Sequence, residues 1–104
     1  MIHVLATIRL HPGRRAAFLQ EFAKLVPLVH AEAGCIEYGA AIDTITKIPA
    51  QIHLGADAVM VVEKWENVAA LAAHLEAPHM NDYRARVNDF VERVDLQILE
   101  PASS

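Results

Sequence analysis

The sequence predicts an α+β domain whose strands and helices follow in the order β-α-β-β-α-α-β. Three observations predict it. Apolar residues alternate along residues 2–10 and 58–66, they recur at helical spacing from Phe18 to Val29 and again after Asn67, and Pro and Gly stand where one pattern gives way to the next. At 104 residues the chain is read as one domain, residues 1–104, too short to include a separate dinucleotide-binding module of repeated βαβ units.

Each element has its own signal. In residues 2–10 (IHVLATIRL), Val4, Ala6, Ile8 and Leu10 form a wholly apolar strand face, while His3, Leu5, Thr7 and Arg9 form a mixed one. Pro12-Gly13 ends that strand, and from Arg14 an amphipathic helix carries Phe18, Phe22, Leu25 and Val29 on one side. Pro27 cannot donate to the carbonyl of Ala23, so a kink or a division is expected there. Gly34 is placed to end the helix as a C-terminal cap. Cys35 to about Asp43 reads as the second strand, and residues 44–57, with Pro49, Gly55 and little periodicity, as a long loop.

Residues 58–66 (AVMVVEKWE) are the clearest strand, with Val59, Val61, Glu63 and Trp65 on one face and Met60, Val62 and Lys64 on the other. Asn67 is a good N-cap for a helix bearing Val68, Leu71 and Leu75, which Pro78 is expected to close. A further helix is expected from Met80, Tyr83, Val87, Phe90, Val91 and Val94, and a last strand over residues 95–100. The order matches the split βαβ, ferredoxin-like plan with one added helix, in which an antiparallel sheet carries its helices on one face.

Composition narrows the function classes. The net charge is −4 with Lys and Arg scattered, so no basic stripe offers itself to a phosphate backbone and nucleic acid is not expected as a partner. No apolar run approaches the roughly 18 residues a membrane span needs, and the N-terminus lacks a leader pattern, which predicts a cytoplasmic protein with no membrane partner. Cys35 is the single cysteine, which rules out an intrachain disulfide or a multi-cysteine metal site; it follows Gly34 and not a helix N-terminus, and reads as a packing residue.

A chain of this size buries only about 60–70% of its unfolded surface, yet 54% of its residues are apolar, so some apolar surface is expected to face a partner. The face bearing His3, Leu5, Thr7 and Arg9, and that bearing Val59, Val61, Glu63 and Trp65, are too apolar for water and too polar for a dry core. Two sheets closing face to face in a homodimer would give each protomer a semi-polar pocket from these faces. An amphipathic, solvated sheet is the plainer alternative.

Several stretches together resemble a known family: Pro12-Gly13, Gly34-Cys35 with Tyr38 three residues on, Glu63-Lys64-Trp65, and the run Ala70-Leu71-Ala72-Ala73-His74-Leu75-Glu76-Ala77-Pro78-His79. In order and spacing they resemble the antibiotic biosynthesis monooxygenases, and within them the quinol monooxygenase branch. The segment from Thr44 to Asp57 looks longer than that family's usual connection. The resemblance implies a dimeric α/β barrel and a cofactor-independent monooxygenase that oxidises a small electron-rich aromatic, a quinol or phenol, with dioxygen and with neither metal nor flavin.

Such chemistry needs a base to remove a phenolic proton and a pocket that excludes water while the radical pair recombines. His74, about 60° round its helix from Leu71, is the first candidate for that base, because histidine titrates near neutral pH. The alternative for His74 is a helix-flank residue bonded to a neighbouring loop. Glu63, a carboxylate on an otherwise apolar strand face, is a candidate to hold or polarise the base, with an ion pair to Arg9 or Arg84 as its structural alternative. Trp65 is expected as a flat pocket wall or as a core or interface anchor.

Tyr38, His79, Thr7 and His3 are candidates to contact substrate. His79, five residues from His74 across a helix break, lacks the i, i+4 spacing of a helical two-histidine metal site, and no metal is expected. His30 and His53 give no usable signal. Three other readings keep the same fold: an isomerase of a small phosphorylated sugar-like signal, which needs pocket cations of which Arg9 alone is placed inward; a haem-binding or haem-degrading protein with His74 or His79 as proximal ligand; and a non-catalytic ligand-binding dimer.

Overall fold

The computed structural model describes residues 1–103. Its elements are β1 (Ile2–Leu10), α1 (Arg15–His30), β2 (Cys35–Ala41), β3 (Ala58–Trp65), α2 (Val68–Leu75), α3 (Pro78–Val87) and β4 (Val91–Leu99). The four strands form one antiparallel sheet in the order β2-β3-β1-β4, so the α+β, ferredoxin-like plan is as expected. Asn67 caps α2 through Oδ1, which accepts from the Ala70 amide at 2.8 Å.

Three boundaries differ from the sequence reading. Helix α1 is not divided at Pro27. Pro27 and Ala23 are both exposed, so the carbonyl that loses its partner lies on the watery side of the helix. Pro78 does not close α2, which stops at Leu75; it opens α3 from the first turn, where a missing N–H costs nothing. Helix α3 ends at Val87, and Val91 and Val94 belong to β4. Valines at 87, 91 and 94 satisfy a helical period, but pairing with β1 gives the β-branched Val91–Val94 stretch a ladder of backbone bonds that a longer helix would forfeit.

The larger correction concerns sheet faces. The β1–β3 register sets Val4 opposite Glu63, Ala6 opposite Val61 and Ile8 opposite Val59. Directly opposed residues share a face, so the apolar side of β1 and the Glu63–Trp65 side of β3 are one surface, and α1 packs on it through Phe18, Phe22, Leu25 and Val29. Glu63 and Trp65 therefore lie beneath helices and not on the uncovered face. His3, Leu5 and Thr7 share the opposite side with Lys64, Val62 and Met60. On β4, Val94, Leu96 and Ile98 share the helix side with Ile8, Ala6 and Val4, yet they stay exposed at 49%, 42% and 51%.

Gly34 does not cap α1, which ends at His30 with Ala31 as its C-cap; it marks a tight junction just before β2. Its φ of +83° is a left-handed conformation, its carbonyl accepts from the Glu66 amide at 2.8 Å, and a Cβ there would stand 2.6 Å from the Ala70 methyl. Gly34→Ala is expected to cost about 2 kcal/mol or more, from backbone strain plus overpacking. Urea unfolding checks this, and a variant as stable as the parent would refute the close approach.

Candidate active site

A cavity of about 370 Å³ lies between the sheet and the two short helices, a size suited to a small organic molecule. Its floor is Ala6, Ile8, Val61 and Glu63 from the sheet, and Tyr38 of β2 lines it as well. Helix α2 contributes His74 and Leu75, and α3 contributes Met80, Tyr83, Arg84 and Val87, placed at the three- and four-residue spacing of one helix face. Asn88 and, from β4, Val91, Val94 and Leu96 complete the lining, and the exposure of Val94 and Leu96 places them at the open side.

Four of the anticipated residues meet here, His74, Glu63 and Tyr38 in the cavity wall and Trp65 behind them. His74 is only 1% exposed; its ring lies 4.6 Å from that of Trp65 at an interplanar angle of 34°, and 5.4 Å from that of Tyr38, edge to face. Trp65, wholly buried, donates from Nε1 to Glu63 Oε1 at 2.9 Å. Trp65 does not itself line the cavity but backs His74 and Glu63, which do. The ion-pair alternative for Glu63 is not what the structure shows: Arg9 bonds the carbonyl of Leu54, and Arg84 bonds the carbonyl of Leu75 and Oδ1 of Asn81.

Burial without a cation pushes the Glu63 carboxyl up to about 7, against the pull of the Trp65 N–H and with help from the charge of Glu32. Burial likewise lowers His74 below the ordinary histidine value, opposed by its bond to Glu32. The same loss of water holds the hydroxyls of Tyr38 and Tyr83 above the usual phenol range, so both stay neutral hydrogen-bonding groups. Burial, with the charges of Glu32 and Glu63 adding to it, also raises the Cys35 thiol, consistent with a packing role.

The remaining candidates lie elsewhere. His3 and Thr7 are on the far face of β1, away from the cavity; the Thr7 hydroxyl meets Sδ of Met60. His79 does not line the cavity either. Its Nε2 bonds Oε2 of Glu32 at 2.8 Å, and the same oxygen bonds Nδ1 of His74 at 2.9 Å. His30 bonds the carbonyl of Tyr38.

As site residues, Glu32, Tyr83 and Arg84 are not singled out by the sequence, which offers Tyr83 only as a helix-face position and Arg84 only as a possible ion-pair partner of Glu63. Tyr83 and Arg84 had a usable signal, since they follow Met80 at helical spacing and precede Val87. Glu32 had none, because it sits in the turn after α1 and reaches histidines 42 and 47 positions away. Among the described residues no group of three or more His, Cys, Asp or Glu side chains is arranged to hold a metal ion. No helix there is long and apolar enough to cross a membrane.

Comparison with known proteins agrees with this architecture. The solved structure of PA3566 from Pseudomonas aeruginosa superposes with a TM-score of 0.79 at 24% identity, covering 98% of this chain and 94% of that one. Rv0793 from Mycobacterium tuberculosis superposes with a TM-score of 0.78 at 23% identity over 99% and 96% of the two chains. In sequence the chain is 39% identical over 103 residues to the protein named "Probable quinol monooxygenase YgiN" of Escherichia coli K12, covering 97% of this chain and 98% of that one. Residues 1–86 match the family model described as antibiotic biosynthesis monooxygenase, and with relatives of this similarity along nearly its whole length the chain belongs to that family.

Proposed function

We propose that this protein is a cofactor-independent monooxygenase that oxidises a small quinol or phenol with dioxygen. The observation that carries the reading is His74, buried in the cavity wall with Nδ1 bonded to Glu32 and no hydrogen bond at Nε2 among the described residues. A neutral imidazole in that position accepts the proton of an aromatic hydroxyl. The resulting anion passes one electron to dioxygen, and the radical pair recombines to form a carbon–oxygen bond. One oxygen atom stays on the ring, so that a quinol gives a hydroxyquinone and a phenol a quinone, and the other leaves as water.

Apolar walls from Ala6, Ile8, Val61 and Leu75 suit a flat aromatic ring and keep bulk water from the radical pair. The tyrosine hydroxyls of Tyr38 and Tyr83 are available to orient the substrate oxygens. The quinol monooxygenase name of the Escherichia coli relative supports the substrate class. A phosphorylated ligand is less well served, because Arg84 is the one cation lining the cavity among the described residues and its guanidinium already serves Leu75 and Asn81.

The working unit in this reading is a homodimer in the cytoplasm. Val94 and Leu96 leave the open side of the cavity apolar, exposed Ile98 shares their face, and Ile45 and Ile52 on the long loop are 95% and 92% exposed. Such surface is better buried against a second copy than left in water. The single free cysteine suits a reducing compartment.

The test is oxygen uptake by protein purified without added metal, with a panel of dihydroxy-aromatics. Turnover is expected to survive chelators and to fall about 10²-fold or more in His74→Ala. An unchanged rate in that variant removes His74 from the mechanism, and ligand binding without oxygen uptake favours a non-catalytic ligand-binding dimer.

A further inference from the structure

The carboxylate of Glu32 takes no part in lining the cavity, yet one of its oxygens meets both His74 Nδ1 and His79 Nε2. A carboxylate offers only acceptor sites, so each imidazole nitrogen that faces it carries the hydrogen. For His74 this matters. With nothing bonded to Nδ1, the ring exchanges between two tautomers, and in one of them Nε2 presents an N–H to the cavity and cannot take a proton.

We propose that Glu32 is a positioning residue that locks His74 in the tautomer with its hydrogen on Nδ1 and its lone pair on Nε2 toward the cavity. His79, 26% exposed by its side chain, holds the carboxylate in place from the surface side. The inference rests on the reading of His74 as the base and names the group that makes it one.

The surroundings of His74 make a single carboxylate decisive. Tyr38 of β2 and Trp65 of β3 enclose the ring and carry no charge. From α3, His79 and Arg84 act against a positive imidazole, as burial does. Glu63 of β3 shares the cavity wall and is itself pushed toward its neutral form by burial. Glu32 is the anion in direct contact with His74, so it both selects the tautomer and stabilises the imidazolium formed when Nε2 takes the substrate proton.

Glu32→Gln keeps the shape and removes the charge. Ring nitrogens are read by long-range proton–nitrogen correlation spectra of protein labelled with 15N-histidine, and turnover is read with 1,4-dihydroxynaphthalene. In the parent protein His74 is expected to show a protonated Nδ1 and an unprotonated Nε2 at pH 8. In Glu32→Gln its titration midpoint is expected to fall by about one unit or more, with kcat down about tenfold or more and KM nearly unchanged. Glu32→Ala, the second variant should Glu32→Gln not fold, also removes the anion and is expected to shift the midpoint in the same direction.

A hydrogen on Nε2 of His74 in the parent protein, or a midpoint unmoved in whichever of these variants folds, overturns the proposal. The spectra need no turnover, so the two readings fail separately. A protein with the expected tautomer and midpoint shift that oxidises no quinol upholds the role of Glu32 and refutes the proposed reaction. Turnover that accompanies an unmoved midpoint does the reverse.

Discussion

Replacing Trp65 by alanine is expected to lower stability by about 3–5 kcal/mol, the range for deleting a buried aromatic ring from a packed core. The ring is wholly buried, touches the imidazole of His74 and gives Glu63 its hydrogen bond. Its removal leaves a cavity and an unpartnered carboxyl together, and each is costly in its own right. A domain of this size holds about 5–15 kcal/mol in all, so the variant should melt roughly 15 °C lower or more. Trp65→Phe, which keeps a ring but loses the N–H, should fall between the two. Thermal and urea unfolding check the order, and a Trp65→Ala variant that melts within a few degrees of the parent would show the ring is not packed in this way.

Glu63→Gln should act in the opposite direction, and only at the higher pH. Glu63 has its folded value raised to about 7 by burial from the ordinary 4.5. The native state therefore binds more protons than the unfolded chain between about 4.5 and 7, and stability falls as pH rises through that window. The lost stability corresponds to about 3 kcal/mol once the pH is above 7. Glutamine keeps an acceptor for the Trp65 N–H and never ionises. The variant should match the parent near pH 4.5 and exceed it by up to about 3 kcal/mol at pH 8, measured by urea midpoints.

His74 contributes with the opposite sign. Its folded value is lowered, so its share of stability is fully present above about 6.5 and is lost as pH falls through the folded value. A Glu63→Gln gain of equal size at both pH values would mean that packing, and not the carboxyl charge, is responsible.

Why a protein would retain such a carboxyl is answered by its location. Glu63 lines the same cavity as His74, and among the described residues no cation is paired to it. Its cost to stability at neutral pH is the kind of local conflict that sequences keep where a site is being built.

The sequence by itself determined what depends on near neighbours along the chain. Alternation of apolar residues defined β1 and β3, helical spacing defined α1, and Asn67 announced the start of α2, since each of these effects acts within a few residues. Position 27 and the end of α3 were less clear for the same reason. The solvent exposure of Ala23 and the pairing of Val91–Leu99 with β1 are not local properties.

Tertiary structure alone decided which strand faces coincide. Each strand alternates identically whichever neighbour it pairs with, and only the register that sets Val4 against Glu63 puts Glu63 and Trp65 under the helices and His3 and Thr7 on the far side. It alone brought Glu32 to His74 and His79. A carboxylate in a turn and two imidazoles more than forty positions on carry no mutual signal until the packing of α2 and α3 against the sheet makes one oxygen the acceptor of both.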